Sequence, residues 1–216
     1  MPPRRLQRIV LAVTALALVA GCGGDDGNES ASLPEGCVEV PEPDPKEVAA
    51  ERRTEPPGLP ARAVVATSCG EFVIQLDTER APRTTASFAG LVEQGFYDGT
   101  GFHRVAPGFV IQGGDPAGDG TGGPGYAVDE PPPEGFAYLR GTVAMAKSEA
   151  EPPGRSGSQF FVVTAPADAG LPPDYALLGG VVEGFDVIER IESLGTEGED
   201  GPPSAPVVIE RIEVES

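Results

Sequence analysis

The chain has 216 residues, room for one domain of ordinary size with targeting or linker segments but not for two large ones. Fifteen basic against 34 acidic residues give a net charge of −19, a surface that a nucleic-acid backbone repels, so nucleic-acid binding is excluded. One histidine rules out three-histidine zinc sites and any scheme that needs two imidazoles.

The first segment carries Arg4, Arg5 and Arg8, followed by an apolar run of 12 residues from Ile9 to Ala20. A bilayer-spanning helix needs about 20 residues, so the run fits the h-region of a signal peptide. Val19-Ala20-Gly21-Cys22 resembles the lipobox of bacterial lipoproteins, with Val19 where leucine is usual. The resemblance implies a signal peptide over residues 1–21 and a lipid on Cys22, an ordinary secretory signal with an incidental cysteine being the alternative. Removal of three arginines and no acid takes the net charge from −19 to −22. No polybasic patch then assists the lipid, and the expected place is extracytoplasmic, anchored to the bacterial cell membrane by the lipid alone. In that compartment Cys37 and Cys69 favour a disulfide, with two buried thiols that never meet as the alternative.

Residues 22–61 are rich in acids and prolines and poor in large apolar side chains, which reads as a flexible tether. From residue 62 to 216 the pattern is that of a folded domain. Ala63 to Thr67 and Phe72 to Leu76, around Ser68-Cys69-Gly70, predict a hairpin. Pro82 to Gln94 predicts a helix with Phe88, Leu91 and Val92 at helical spacing and Gly95 just past its end. Short apolar runs follow at Gly108 to Gln112, Thr142 to Ala146, Gln159 to Val163 and Tyr175 to Val182. A second helix fits Asp186 to Leu194, and Val207 to Val214 closes the chain. Many short strands with Gly/Pro turns and two helices argue for a mainly β fold, an antiparallel barrel or sandwich.

Two motifs fail on context. Gly118 to Gly123 fits G-x-G-x-x-G, but Pro124-Gly125 stops the helix that a dinucleotide site requires. His103 could join Ser156 or Ser158 in a triad, yet no G-x-S-x-G elbow exists and a packed or hydrogen-bonding histidine is the simpler reading. The informative stretch is Phe102 to Asp115 (FHRVAPGFVIQGGD), where one cation and one amide stand among apolar residues. In an extended segment Arg104, Gly108, Val110 and Gln112 share one face, and Phe109 joins them through a turn or bulge at Pro107-Gly108.

That stretch, followed by G-T-G-G, A-M-A and G-S-Q-F-F in order, resembles the cyclophilin family of peptidyl-prolyl isomerases over roughly 150 residues from Ala63 to Val214. The resemblance implies a closed eight-stranded antiparallel barrel capped by two α-helices, and no cofactor or metal. It implies Arg104 as the catalytic arginine, Gln112 as the glutamine that orients it and meets substrate, and Phe109 beside them. Val110, in place of the usual methionine, Phe161 and Leu171 then line the proline pocket, with His103 and Tyr175 also meeting substrate. Ala146 and Lys147 stand where backbone groups bind the residue before proline. The expected function is isomerisation of X–Pro bonds in exported or unfolded polypeptides by a monomer. The alternative is a low-activity proline-peptide binding or chaperone module on a lipid tether.

Overall fold

The computed structural model describes residues 32–55, 58 and 61–215. The predicted signal peptide and Cys22 lie outside the described residues. Among these residues ten strands and two helices follow in order: β1 Arg62–Thr67, β2 Gly70–Leu76, α1 Pro82–Glu93, β3 Gly101–Ala106, β4 Val110–Asp115, β5 Val128–Asp129, β6 Thr142–Met145, β7 Arg155–Ser156, β8 Phe160–Val163, β9 Leu177–Glu183, α2 Phe185–Glu192 and β10 Ile209–Glu215. Eight strands form one curled antiparallel sheet in the order β10-β1-β2-β9-β6-β8-β4-β3, and β5 and β7 pair apart from it.

Two-residue periodicity gives this sheet two apolar faces. Along β8, Phe160 and Val162 enter the main core while Phe161 and Val163 enter a smaller cluster on the other face. β6 repeats the pattern, with Val143 and Met145 inward and Ala144 outward. A strand covered on both sides reads as a continuous apolar run, which is why Phe160–Val163 shows no alternation in the sequence. The main core is completed by Phe88 and Leu91 from α1 and by Val187, Ile188 and Ile191 from α2.

Each helix end has an identifiable cause. Pro82 opens α1, and Ala81 offers no side-chain cap. The cap comes from far along the chain: buried Glu130 accepts the Thr84 backbone N–H at 2.6 Å, the Thr84 hydroxyl at 2.7 Å and the Arg83 N–H at 3.2 Å. A carboxylate there satisfies orphan donors and complements the helix dipole. Past the helix, Gly95 turns the chain out at φ 64°, a conformation that costs glycine little.

The expected closed barrel is not what forms. Edge strands β3 and β10 meet only at a corner, through the Gly101–Val208 bridge and bonds from Phe102 N–H to Val207 O and from Ile209 N–H to Thr100 O. The segment before β10 instead runs beside β3 and touches it again at the Val105–Gly201 bridge. Between those two points stand Pro202, Pro203 and Pro206, which have no N–H to donate, so a continuous ladder cannot form.

The expected tether also differs in part. Residues 33–55 lie along the domain as an extended strap. Val38 N–H bonds Ser68 O at 2.8 Å, Lys46 N–H bonds Pro116 O at 2.9 Å and Ala50 N–H bonds Pro124 O at 3.1 Å. Gln94 exchanges hydrogen bonds with the Glu51 backbone, and Cys37 is disulfide-bonded to Cys69. The strap cannot bury a core by itself, as its composition indicates. It borrows one, packing Leu33, Cys37, Val48 and Ala50 against the main core.

Candidate active site

β3 and β4 form a hairpin over Pro107-Gly108-Phe109, with Gly108 at φ 74° and its N–H bonded to the Glu192 carboxylate of α2 at 2.7 Å. Arg104 and Gln112 therefore lie on different strands as direct cross-strand partners, rather than along one extended segment. A bulge completes the arrangement. Phe102 opposes Gly113 and Arg104 opposes Gln112, leaving His103 as the extra residue. In an unbroken strand residues 102 and 104 share a face. The bulge sends Phe102 into the main core and turns Arg104 outward.

Outward-facing residues of β4 and β8, with the two residues that follow β6, bound a recess of about 100 Å³ lined by Arg104, Phe109, Val110, Gln112, Ala146, Lys147, Phe161, Leu171 and Tyr175. Nine of the ten residues implied by the sequence thus surround one cavity. His103 stands beside it, 3.4 Å from Gln112 through Nε2. Burial lowers the His103 pKa from 6.5, and its Nδ1 is buried without a partner among the described residues, which suits a neutral imidazole.

The guanidinium of Arg104 is held from two sides. Its Nη1 donates to Gln112 Oε1 at 2.9 Å, while Nε and Nη2 donate to the two carboxylate oxygens of Asp200 at 2.6 and 2.7 Å. This pairing raises the Arg104 pKa and lowers that of Asp200, each chiefly through the shared hydrogen bonds. Gln112 is steered in turn: its amide donates to Gln159 Oε1 at 3.0 Å, and Gln159 donates to the carbonyls of Gly120 and Gly122. Behind the pocket, Tyr138 is fully buried and exchanges hydrogen bonds with the Tyr175 backbone, its hydroxyl pKa pushed up to about 12 mainly by burial. Tyr175 meets Phe161 edge to face at 5.4 Å, and the Lys147 ammonium sits 5.5 Å from the Tyr175 ring. The Ala146 N–H is committed to Gln159 O at 2.8 Å, which leaves its carbonyl for a ligand.

The sequence reading missed Asp200, Tyr138 and the part played by Gln159. Gln159 stood within the quoted G-S-Q-F-F motif. Asp200 is 96 residues from Arg104 in a loop of acids, where nothing local distinguishes it.

A curled antiparallel sheet carries on its outer face a recess with an apolar floor, one steered arginine above it and Lys147 at its rim, an arrangement suited to holding an apolar side chain beside a cation. The family model described as cyclophilin type peptidyl-prolyl cis-trans isomerase/CLD matches residues 62–214, and the chain belongs to that family. It is 38% identical over 171 residues to probable peptidyl-prolyl cis-trans isomerase B of Mycobacterium leprae, covering 71% of this chain and 56% of that protein. Probable peptidyl-prolyl cis-trans isomerase A of Mycobacterium bovis is 39% identical over 179 residues, covering 74% and 96%. The chain spans 56% to 65% of the length of the mycobacterial B-type relatives. A crystal structure of a Cryptosporidium parvum cyclophilin type peptidyl-prolyl cis-trans isomerase, determined in the presence of the dipeptide Ala-Pro, matches with a TM-score of 0.64 at 30% identity, covering 72% of this chain and 99% of that one.

Proposed function

We propose that this protein is a peptidyl-prolyl cis-trans isomerase that accelerates rotation about X–Pro bonds in exported or unfolded polypeptides while tethered by a lipid on Cys22. The observation that carries the reading is the Arg104 guanidinium, steered by Gln112, above a recess whose floor is Phe109, Val110, Phe161 and Leu171. Rotation of an X–Pro bond is slow because amide resonance must be lost, a barrier of about 18–20 kcal/mol. Twisting returns the lone pair to the prolyl nitrogen, and a guanidinium aimed there stabilises the twisted state over the planar one.

Magnitudes divide the labour. Raising a rate from about 10⁻² to about 10³ per second takes roughly 7 kcal/mol, whereas one charge-assisted hydrogen bond contributes about 1.5–3 kcal/mol. The remainder falls to the recess, which holds the proline ring in a water-poor pocket while the preceding carbonyl turns. The Ala-Pro dipeptide present with the Cryptosporidium relative supports proline-containing substrates. The Cys37–Cys69 pairing supports an oxidising, extracytoplasmic compartment.

The test is cis-to-trans relaxation of an Ala-Pro tetrapeptide with the full-length chain and with Arg104→Ala. Acceleration by the parent and at least a roughly tenfold loss in the variant are expected, the size of one charge-assisted hydrogen bond. A folded parent no faster than buffer overturns the reading in favour of a peptide-binding module.

A further inference from the structure

The loop between α2 and β10 places one carboxylate against the guanidinium and fixes it there. We propose that Asp200 is a positioning residue for the isomerase reaction, gripping Arg104 by the edge opposite to substrate so that its free donors face the recess. The inference rests on the isomerase reading given above.

Three observations carry it. The Val105–Gly201 bridge, with Val105 N–H to Gly201 O at 2.7 Å, lies one residue after Arg104 and one after Asp200. In an antiparallel pair this sets Asp200 across from Ala106, diagonal to Arg104 and on the same outward face. The loop behind it is tied down by Ser204 N–H to Leu194 O at 2.7 Å, and Gly195 packs so closely that a Cβ there meets Val105 at 2.6 Å and Pro107 at 2.7 Å. Asp200 therefore comes from an anchored backbone, not from a loose acidic surface.

Donor counting supplies the third. A guanidinium has five N–H groups. Asp200 takes one on Nε and one on Nη2, and Gln112 takes one on Nη1. Two remain, one on each terminal nitrogen, for the polypeptide in the recess. Three hydrogen bonds restrain the planar group, although the side chains of Arg104 and Asp200 are 33% and 53% exposed. An aspartate fork suits the role because both oxygens match the geometry of Nε and Nη2.

The experiment uses the full-length chain with Asp200→Ala, Asp200→Asn, Arg104→Ala and the Arg104→Ala/Asp200→Ala double variant. Exchange of an Ala-Pro peptide gives kcat and KM separately, and NMR follows the Arg104 Nε–H resonance without substrate. Asp200→Ala is expected to lower kcat roughly tenfold with KM within about twofold, as loss of orientation rather than of binding does. Asp200→Asn keeps one acceptor and recovers part of that loss, and Asp200→Ala has no further effect once Arg104 is gone. The protected Nε–H signal of the parent disappears in Asp200→Ala. An unchanged or raised kcat in Asp200→Ala overturns the proposal, as does an equal loss with and without Arg104. Should Asp200→Ala fail to fold, the Asp200→Asn kcat decides, and parental turnover there overturns it. A parent without activity overturns the isomerase reading and this proposal together, whereas an active parent with an indifferent Asp200 overturns this one alone.

Discussion

Replacing Cys37 and Cys69 together by serine removes the disulfide crosslink between strap and domain. The bond closes a loop with a sequence separation of 32. In the chain-entropy account a loop of that length withholds enough freedom from the unfolded chain to stabilise the fold by roughly 3–4 kcal/mol. The strap's backbone bonds to Ser68, Pro116 and Pro124 each contribute about 0.5–1.5 kcal/mol net, and ordering the strap opposes them at about 1–2 kcal/mol per residue fixed. Without the crosslink, then, the strap detaches before the sheet unfolds. Urea unfolding of the parent and the double serine variant, each monitored by circular dichroism, reads the difference. The expected result is a loss of about 3 kcal/mol together with early hydrogen exchange at Val38, Lys46 and Ala50. Turnover should stay within about twofold, because none of these bonds touches Arg104 or the floor of the recess. A loss below about 1 kcal/mol, with the disulfide verified in the parent by mass, refutes the reasoning.

Two further predictions concern the frame around the site. Glu130→Ala strands the buried hydroxyl and N–H of Thr84 and should destabilise by about 3 kcal/mol. Glu130→Gln keeps one acceptor without the charge and should lose about half of that by chemical denaturation; equality with the parent in both variants contradicts the capping role. His103 has a folded pKa below 6.5, so the unfolded chain takes up its proton first as pH falls. Its contribution is full above that value and is lost as pH drops through 6.5 towards the folded pKa. The urea midpoint of the parent should therefore decline from pH 7 to pH 5 relative to His103→Asn, and parallel profiles would count against it.

What could be read from the sequence was whatever the local pattern encodes. Arg104 and Gln112 stand eight residues apart among apolar neighbours, and their convergence follows from alternation plus one turn. The helix from Pro82 is framed by its own proline and Gly95. The bulge at His103 was not legible, because a bulge shows only in the register between two strands and leaves no trace in either one. Asp200 was hidden for a related reason: its neighbours are also acids, and what distinguishes it is a bridge to a strand almost a hundred residues earlier. The strap from 33 to 55 misled because composition measures what a segment can bury alone, not what it can borrow from a surface already folded.

The open seam has a consequence if, as proposed, the domain meets extended chains. A sheet with two free edges offers unpaired N–H and C=O groups to any strand passing by, and an enzyme handling unfolded polypeptides would risk being augmented by its own substrate. Here each edge is defended by a different means. Along β3 the proline-bearing stretch from 201 to 208 occupies the place a foreign strand would take. On β10 the outer positions are Glu210, Arg211, Glu213 and Glu215, all exposed and charged. On the proposed function, a polypeptide would reach the arginine on the outer face while one edge is already occupied and the other is guarded by charge.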